Sequence, residues 1–366
     1  MNPTNEFNPN WASVPGDTIG DVMSLKQLSI PDFAKKMDST PEYIKDLLHG
    51  FVSINNDIAI KLSSVLGASK DFWIKREQDY REAVERLKIQ EEKKWVLELP
   101  IADMLKFGWI TKTTQVASEC LRYFGVPDVW TWRRRYSDVT ALTAFRKSEK
   151  IQSVPGSVAA WLRQGDIQAS KINCESWNKE LFELTLPEIK KLTLRKSPKL
   201  FLPDLIRLCA RCGVAVVIAQ TPKGCPASGA TKFLTDNKAV ILLSFRYKTD
   251  DHFWFTFFHE AGHLLLHGNK QIFLEEDGHN LEKSEEREAN EFSENILISG
   301  NLKTYLKTAH ITETTIRKIA KEAGISLGIV AGQLEHFDRV KYGALNSYKR
   351  KFDWNEISQS ITQKNE

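Results

Sequence analysis

The sequence predicts a mainly α-helical protein with one small β-sheet: a five-helix N-terminal domain, a helical connector, an α+β domain and a helical C-terminal region. Three observations point there. Residues 17–88 divide into short amphipathic runs, each with its own start and stop signals. Residues 213–244 hold three apolar runs rich in β-branched residues and separated by turn residues. After them comes Phe257-Phe258-His259-Glu260-Ala261-Gly262-His263-Leu264-Leu265-Leu266-His267, a polar trio in apolar surroundings, as suits a buried helix.

At 366 residues the chain is long enough for two or more domains. A hydrophobic share of 42% and a charged share of 27% describe an ordinary soluble protein with ample core material. A net charge of +4 is too small to argue for nucleic acid by itself. No run reaches the length of a membrane span, and the N-terminus lacks a charged-then-apolar pattern, so no membrane partner is expected. Five cysteines (Cys120, Cys174, Cys209, Cys212 and Cys225), odd in number and irregularly spaced, fit a reduced cytoplasm. Cys209 and Cys212 have metal-ligand spacing, but no second pair completes a zinc ribbon, and buried thiols are the better reading.

Taken in order, residues 1–16 carry Asn, Pro and Trp without periodicity and read as a flexible arm. Ile19, Val22, Met23 and Leu25 belong to a first helix, and Pro31 starts a second that reaches Met37. Asp38-Ser39-Thr40 is a turn; Ser39 or Thr40 can cap a third helix over 41–49, which Gly50 ends. A fourth helix spans 54–66 and stops at Gly67; a fifth opens at Ser69 and runs to about Leu87. Residues 89–200 form the connector, with 19 Lys/Arg against 13 Asp/Glu. Its cluster Trp130-Thr131-Trp132-Arg133-Arg134-Arg135-Tyr136 can meet a nucleic-acid backbone, though a solvated helix face explains it more simply. Ala144-Phe145-Arg146-Lys147-Ser148 and Ala159-Ala160-Trp161-Leu162-Arg163 suit helices that pack on the next domain. Residues 201–300 hold a helix over 203–212, strands over 213–219, 229–234 and 239–244, and the histidine helix. In 301–366, Thr312 caps a helix that ends near Gly324, another helix spans 329–337, and the last dozen residues look frayed.

His259 and His263 are four apart and share one face of a helix. Imidazoles at that spacing can grip one Zn²⁺, and Glu260 can take a proton from water at the metal. A histidine pair used for core packing or a surface ion pair is the alternative. A third ligand decides between them, and the acidic region around Glu275-Glu276-Asp277 and 282–294 offers several carboxylates. Within it, a Glu followed at i+3 and i+4 by Ala and Asn, as at Glu286, Ala289 and Asn290, can approach another helix closely. The order helix, small sheet, active-site helix is a zincin-like metallopeptidase layout, and an open sheet edge would let a peptide add as a strand.

Two resemblances sharpen this. Pro31-Asp32-Phe33-Ala34, Thr40-Pro41-Glu42-Tyr43-Ile44, Leu47-Leu48-His49-Gly50, Ala59-Ile60-Lys61-Leu62 and Phe72-Trp73 make residues 17–88 resemble the helix-turn-helix modules of the phage-repressor (XRE) class, HigA-like subtype. That family's third helix reads the major groove, which implies DNA contacts from Ser39, Thr40, Glu42, Tyr43 and Lys45, with pairing of two copies on two half-sites. Met37 stands where the family keeps a Gly, and 11 Lys/Arg against 12 Asp/Glu give the module no basic surplus. It therefore either binds DNA or docks a protein. Secondly, residues 243–256, His259–His267 and Glu286-Arg287-Glu288-Ala289-Asn290-Glu291-Phe292 resemble the ImmA/IrrE family of zinc metallopeptidases, many of which carry such a module in front.

That resemblance implies His259, His263 and Glu286 as zinc ligands, with Glu285 and Glu288 as other registers and Mn²⁺ as another metal. It also implies a repressor or antitoxin-like protein as substrate. Glu260 is the expected general base; Tyr247, Arg246 and His267, in that order, are candidates to stabilise the oxyanion. His267 also suits a supporting role behind the metal ligands. The competing expectation is a DNA-binding regulator whose peptidase domain is sensory or weakly active.

Overall fold

The computed structural model describes residues 9–137, 154–268, 273–276 (backbone) and 284–362. The expected helix at 144–148, the acidic residues 277–283 and the last four residues lie outside the described residues. The chain forms two compact units, Met1–Leu97 and Glu98–Glu366.

The first unit holds α1 (Pro15–Leu25), α2 (Ile30–Lys36), α3 (Pro41–Leu48), α4 (Asn56–Leu66) and α5 (Lys70–Leu97). Ile19, Phe33, Ile44, Leu47, Leu62 and Trp73 are its buried centre. Thr40 supplies the α3 cap, accepting from the Tyr43 amide. α1 begins at Pro15, inside the stretch expected as an arm, and Arg76 holds the residues before it by donating to the Ser13 and Val14 carbonyls. The fifth helix passes Leu87 and continues to Leu97, because no Gly or Pro interrupts the sequence before Pro100. The turn before α3 places its left-handed residue at Asp38 (φ 52°), a type that tolerates this region. Met37 keeps helical backbone and lies buried, so the position needs no Gly.

In the second unit α6 (Ile101–Lys106), α7 (Val116–Phe124) and α8 (Val129–Arg135) precede α9 (Pro155–Lys171), α10 (Lys179–Lys191) and α11 (Pro198–Ala210). In the basic–aromatic cluster Trp130 and the three arginines are exposed, while Arg135 donates to the Phe124 and Gly125 carbonyls at the end of α7 and Arg133 pairs with Glu98. Then come β1 (Val214–Ile218), β2 (Ala227–Thr235), β3 (Lys238–Leu243), the histidine helix α12 (Asp250–Leu266), β4 (Phe273–Glu276) and α13 (Ser284–Leu297). The helices α14 (Gly300–Thr308), α15 (Glu313–Ala323), α16 (Leu327–His336) and α17 (Trp354–Thr362) follow.

The sheet runs β1-β3-β2-β4, with β1 parallel to β3 and the other pairs antiparallel. β4 was not expected: its acidic residues carry no local strand signal, and its partner is the exposed ladder of β2. It covers the β2 edge, so among the described residues β4 is the outermost strand on that side. β1 and β3 are buried on both faces, which explains their unbroken apolar runs. Val214, Val216, Ile241 and Leu243 join the core that contains Phe257 and Trp254 of α12. Opposite, α9 lies so close that a Cβ on Gly165 would meet Leu242 Cδ2 at 2.7 Å, and Trp161 Nε1 donates to the Ala219 carbonyl. The helix at 155–171 thus packs on the sheet, as its apolar residues 159–162 predict. Cys209 and Cys212 are free, buried core thiols, and burial raises that of Cys209.

The start of α12 is fixed by the C-terminal region. Asp250 accepts from Ser326 Oγ (2.7 Å) and from the Arg350 amide (2.9 Å). Lys349 Nζ lies 2.7 Å from Asp251 Oδ2 and 2.6 Å from Glu335 Oε2, with all three side chains buried. Replacing a buried cation between two buried carboxylates leaves both uncompensated. Lys349→Met is therefore expected to destabilise this unit by about 3–5 kcal/mol, measured as a lowered urea midpoint.

Candidate metal centre

On α12 successive side chains turn by about 100°, and the sequence uses that rotation. His259 and His263 face α13, whereas Glu260 faces β2. The closeness of both neighbours comes from small residues. A Cβ on Gly262 would meet Ala289 Cα at 3.3 Å and Phe292 Cδ1 at 3.1 Å. A Cβ on Gly229 of β2 would collide with the Glu260 carboxylate and lie 2.7 Å from Thr256 Cγ2. The Thr231 hydroxyl donates to the Glu260 carbonyl, and the Ser293 hydroxyl to the Phe255 carbonyl, so both neighbours also bond the α12 backbone.

Nε2 of His259 and Nε2 of His263 stand 3.0 Å apart. Oε2 of Glu286 is 3.4 Å from the first and 3.8 Å from the second. These three are the one cluster among the described residues whose His, Cys, Asp or Glu atoms gather tightly enough for a metal, within 4.8 Å of one another. Ligands about 2.1 Å from a tetrahedral ion are separated by about 3.4 Å, which the three distances bracket. The outer nitrogen of His259 supports the same fit. Its Nδ1–H donates to Asn290 Oδ1 (2.9 Å), which leaves the Nε2 lone pair directed into the cluster.

Both histidines are about 1% exposed, and burial lowers the pKa of His263, the direction that favours the neutral form a ligand needs. Burial opposes ionisation of Glu286, but hydrogen bonds and charge interactions with His259 and His263 outweigh it and hold the carboxyl well below the usual range. The donor set offered to a metal is thus two imidazole nitrogens and one carboxylate.

Of the three registers considered for the carboxylate, Glu286 reaches the histidine pair, while Glu288 lies against His267. Glu286, Ala289, Asn290 and Ser293 all face α12, the i, i+3, i+4, i+7 pattern of one helix side. Glu260 is fully buried. His267 lies beyond His263, its Nδ1 3.1 Å from Nδ1 of that residue, on the side away from the cluster. Tyr247 sits nearer the start of α12: its ring stacks on His252 at 4.2 Å, with the Arg246 guanidinium 5.2 Å from the ring centre. Tyr247, His252, Thr256 and Ser228 line one cleft, adjoining Gly229 and thus the Glu260 side of the helix. In the first unit, Thr40, Glu42 and Lys45 are exposed on α3, whereas Ser39 and Tyr43 are half-buried. Asn290 and Gly229 were not singled out as site residues beforehand. Asn290 had a signal, one turn beyond Glu286; so did Gly229, a glycine inside a strand, which marks a close approach.

Residues 211–335 match the family model described as the IrrE N-terminal-like domain (Peptidase_M78), a stretch that contains the three clustered residues and Glu260. The N-terminal region is 35% identical over 60 residues to an uncharacterised HTH-type transcriptional regulator, YddM, of Escherichia coli (strain K12). That match covers 16% of this chain and 64% of that protein, so the chain spans just under two thirds of the relative. A solved structure described as a candidate antidote protein of a plasmid maintenance system, from Nostoc punctiforme PCC 73102, is 26% identical with a TM-score of 0.23, over 24% of this chain and 94% of that one.

The Gly229–Glu260 contact yields a direct test. Gly229→Ala is expected to cost about 1–3 kcal/mol through overpacking, read from the urea midpoint. Adding Glu260→Ala, which removes the colliding carboxylate, is expected to recover part of that loss, a coupling visible in a double-mutant cycle.

Proposed function

Because residues 211–335 form an IrrE N-terminal-like peptidase domain behind a module related to an HTH-type regulator, we propose that the chain is a zinc-dependent endopeptidase that hydrolyses a peptide bond in a regulatory protein of repressor or antitoxin type. The observation that carries this reading is the convergence of His259 Nε2, His263 Nε2 and Glu286 Oε2 on one point. Two imidazoles and a carboxylate favour Zn²⁺ over Mn²⁺, which prefers oxygen-rich sites. A zinc ion held there supplies Lewis acidity, acidifying water and polarising the scissile carbonyl.

The remaining work belongs to the chain. Glu260 accepts the proton of the attacking water and returns it to the leaving nitrogen. Its position against Gly229 limits the motion of the carboxylate. Tyr247, on the cleft that adjoins Gly229, is the proposed hydroxyl donor to the oxyanion. An extended substrate would add as a strand beside β4, the outermost strand among the described residues. The exposed α3 residues Thr40, Glu42 and Lys45 are the proposed contacts to double-stranded DNA, made by a homodimer on two half-sites. No described helix is long and apolar enough to cross a membrane, and the free cysteines suit the cytoplasmic setting proposed here.

The complete burial of Glu260 favours a second reading, in which the domain senses its ligand and represses or releases DNA without efficient cleavage. Glu260→Gln separates the two. Under the first reading it retains zinc by metal analysis while cleavage of regulators encoded beside the gene falls at least about 100-fold. Undiminished cleavage by that variant would remove Glu260 from the mechanism. Glu286→Ala is expected to lose zinc itself.

A further inference from the structure

Glu288 and His267 lie outside the ligand cluster, yet they form a chain that ends on one of its members. A carboxylate can only accept, so His267 Nε2–H donates to Glu288 Oε2 across 3.2 Å. The lone pair of His267 is then on Nδ1, which lies 3.1 Å from Nδ1 of His263 and accepts its proton. With that proton committed outward, His263 presents its Nε2 lone pair to Nε2 of His259 and Oε2 of Glu286.

We propose that Glu288 and His267 are positioning residues that fix the tautomer and ring orientation of His263 and so set the zinc affinity of the His259–His263–Glu286 site. The assignment rests on the metallopeptidase reading. It makes the support of the two histidine ligands unequal. His259 is held by a neutral amide, Asn290, whereas His263 is held through a second imidazole by a carboxylate whose side chain is 52% exposed. His267 itself is only 9% exposed, so its ring is confined between the two. An anionic end raises the electron density available at the far nitrogen, and outer partners of this kind change metal affinity without touching the metal.

The test uses the full chain, stripped of metal, with zinc affinity measured by competition against a chromophoric chelator. The Co²⁺ visible spectrum serves as a second readout. His267→Phe keeps a ring but removes the acceptor. His267→Asn loses the ring but places an oxygen where Nδ1 stood. The chain predicts that Phe weakens zinc binding by about 10–100-fold and alters the Co²⁺ spectrum, and that Asn recovers most of the affinity. A merely space-filling His267 predicts the opposite order, and that order overturns the proposal. Glu288 is half-exposed, so its variants test the chain without disturbing the core. Glu288→Lys, which can donate but not accept, is expected to weaken zinc binding more than Glu288→Ala. Wild-type affinity in both Glu288 variants overturns the proposal even if the His267→Phe protein does not fold. A wild-type protein that takes up no zinc removes the metallopeptidase reading and the chain together, whereas zinc-tight variants remove the chain alone.

Discussion

The seam between the histidine helix and the helix after it governs the rest of the site. Gly262 and Ala289 bring the two backbones near enough that a methyl group at residue 262 would meet the opposite Cα at 3.3 Å. Only at that separation do the short side chains of Asn290 and Ser293 reach His259 and the Phe255 carbonyl. The same separation carries Glu286 to the histidine pair against a desolvation penalty that would otherwise favour its neutral form. A buried pair of neutral imidazoles with both lone pairs turned inward is unfavourable by itself. The carboxylate adds a third electron-pair donor to the same pocket, and a cation would supply the compensating interaction.

The position of the histidine helix is set separately, and from a distance in sequence. Its first turn is tied by Asp250 and Asp251 to Ser326, Lys349 and the Arg350 amide. Its flank is tied by Thr231 to the sheet, which α9 backs from the other side. Gly328 and Gly332 let α16 approach the two aspartates, since a Cβ at residue 332 would lie 2.8 Å from the Asp251 carboxylate. The residues after 301 thus bear on the site although none belongs to the ligand cluster. A change in the tail segment around Lys349 acts on the first turn of α12, two turns before the first histidine.

Much of this was legible because local chemistry and tertiary need coincide. The i, i+4 histidines, the caps at Thr40 and Thr312, and the stops at Gly50, Gly67 and Gly324 are written in adjacent residues. The Glu286 face was readable because Ala and Asn stand at its i+3 and i+4 positions. What escaped depends on partners remote in sequence. β4 is a strand because β2 offers a ladder, and nothing in Phe273–Glu276 announces it. The extension of α5 beyond Leu87 could be read from the missing breakers, but the change in composition looked like a boundary. The left-handed turn residue fell one position later than the family comparison implied, because Asp38 can adopt that backbone and the buried Met37 cannot leave the core.

The rotation of the histidine helix also separates two faces that share three adjacent turns. The metal-facing side meets α13, so its geometry depends on Gly262, Ala289 and Asn290. The Glu260 side meets β2, so its geometry depends on Gly229 and Thr256. The Thr231 and Ser293 hydroxyls bond the helix backbone between them, one from each neighbour. On the proposed mechanism, metal retention and proton transfer are therefore separable by substitution. The cleft lined by Tyr247, Thr256 and Ser228 adjoins the Glu260 side of the helix, and the side facing α13 lies around the curve of the same helix. Glu260 is fully buried, with its carboxylate against Gly229 of β2, so its surroundings are set by the sheet and not by α13.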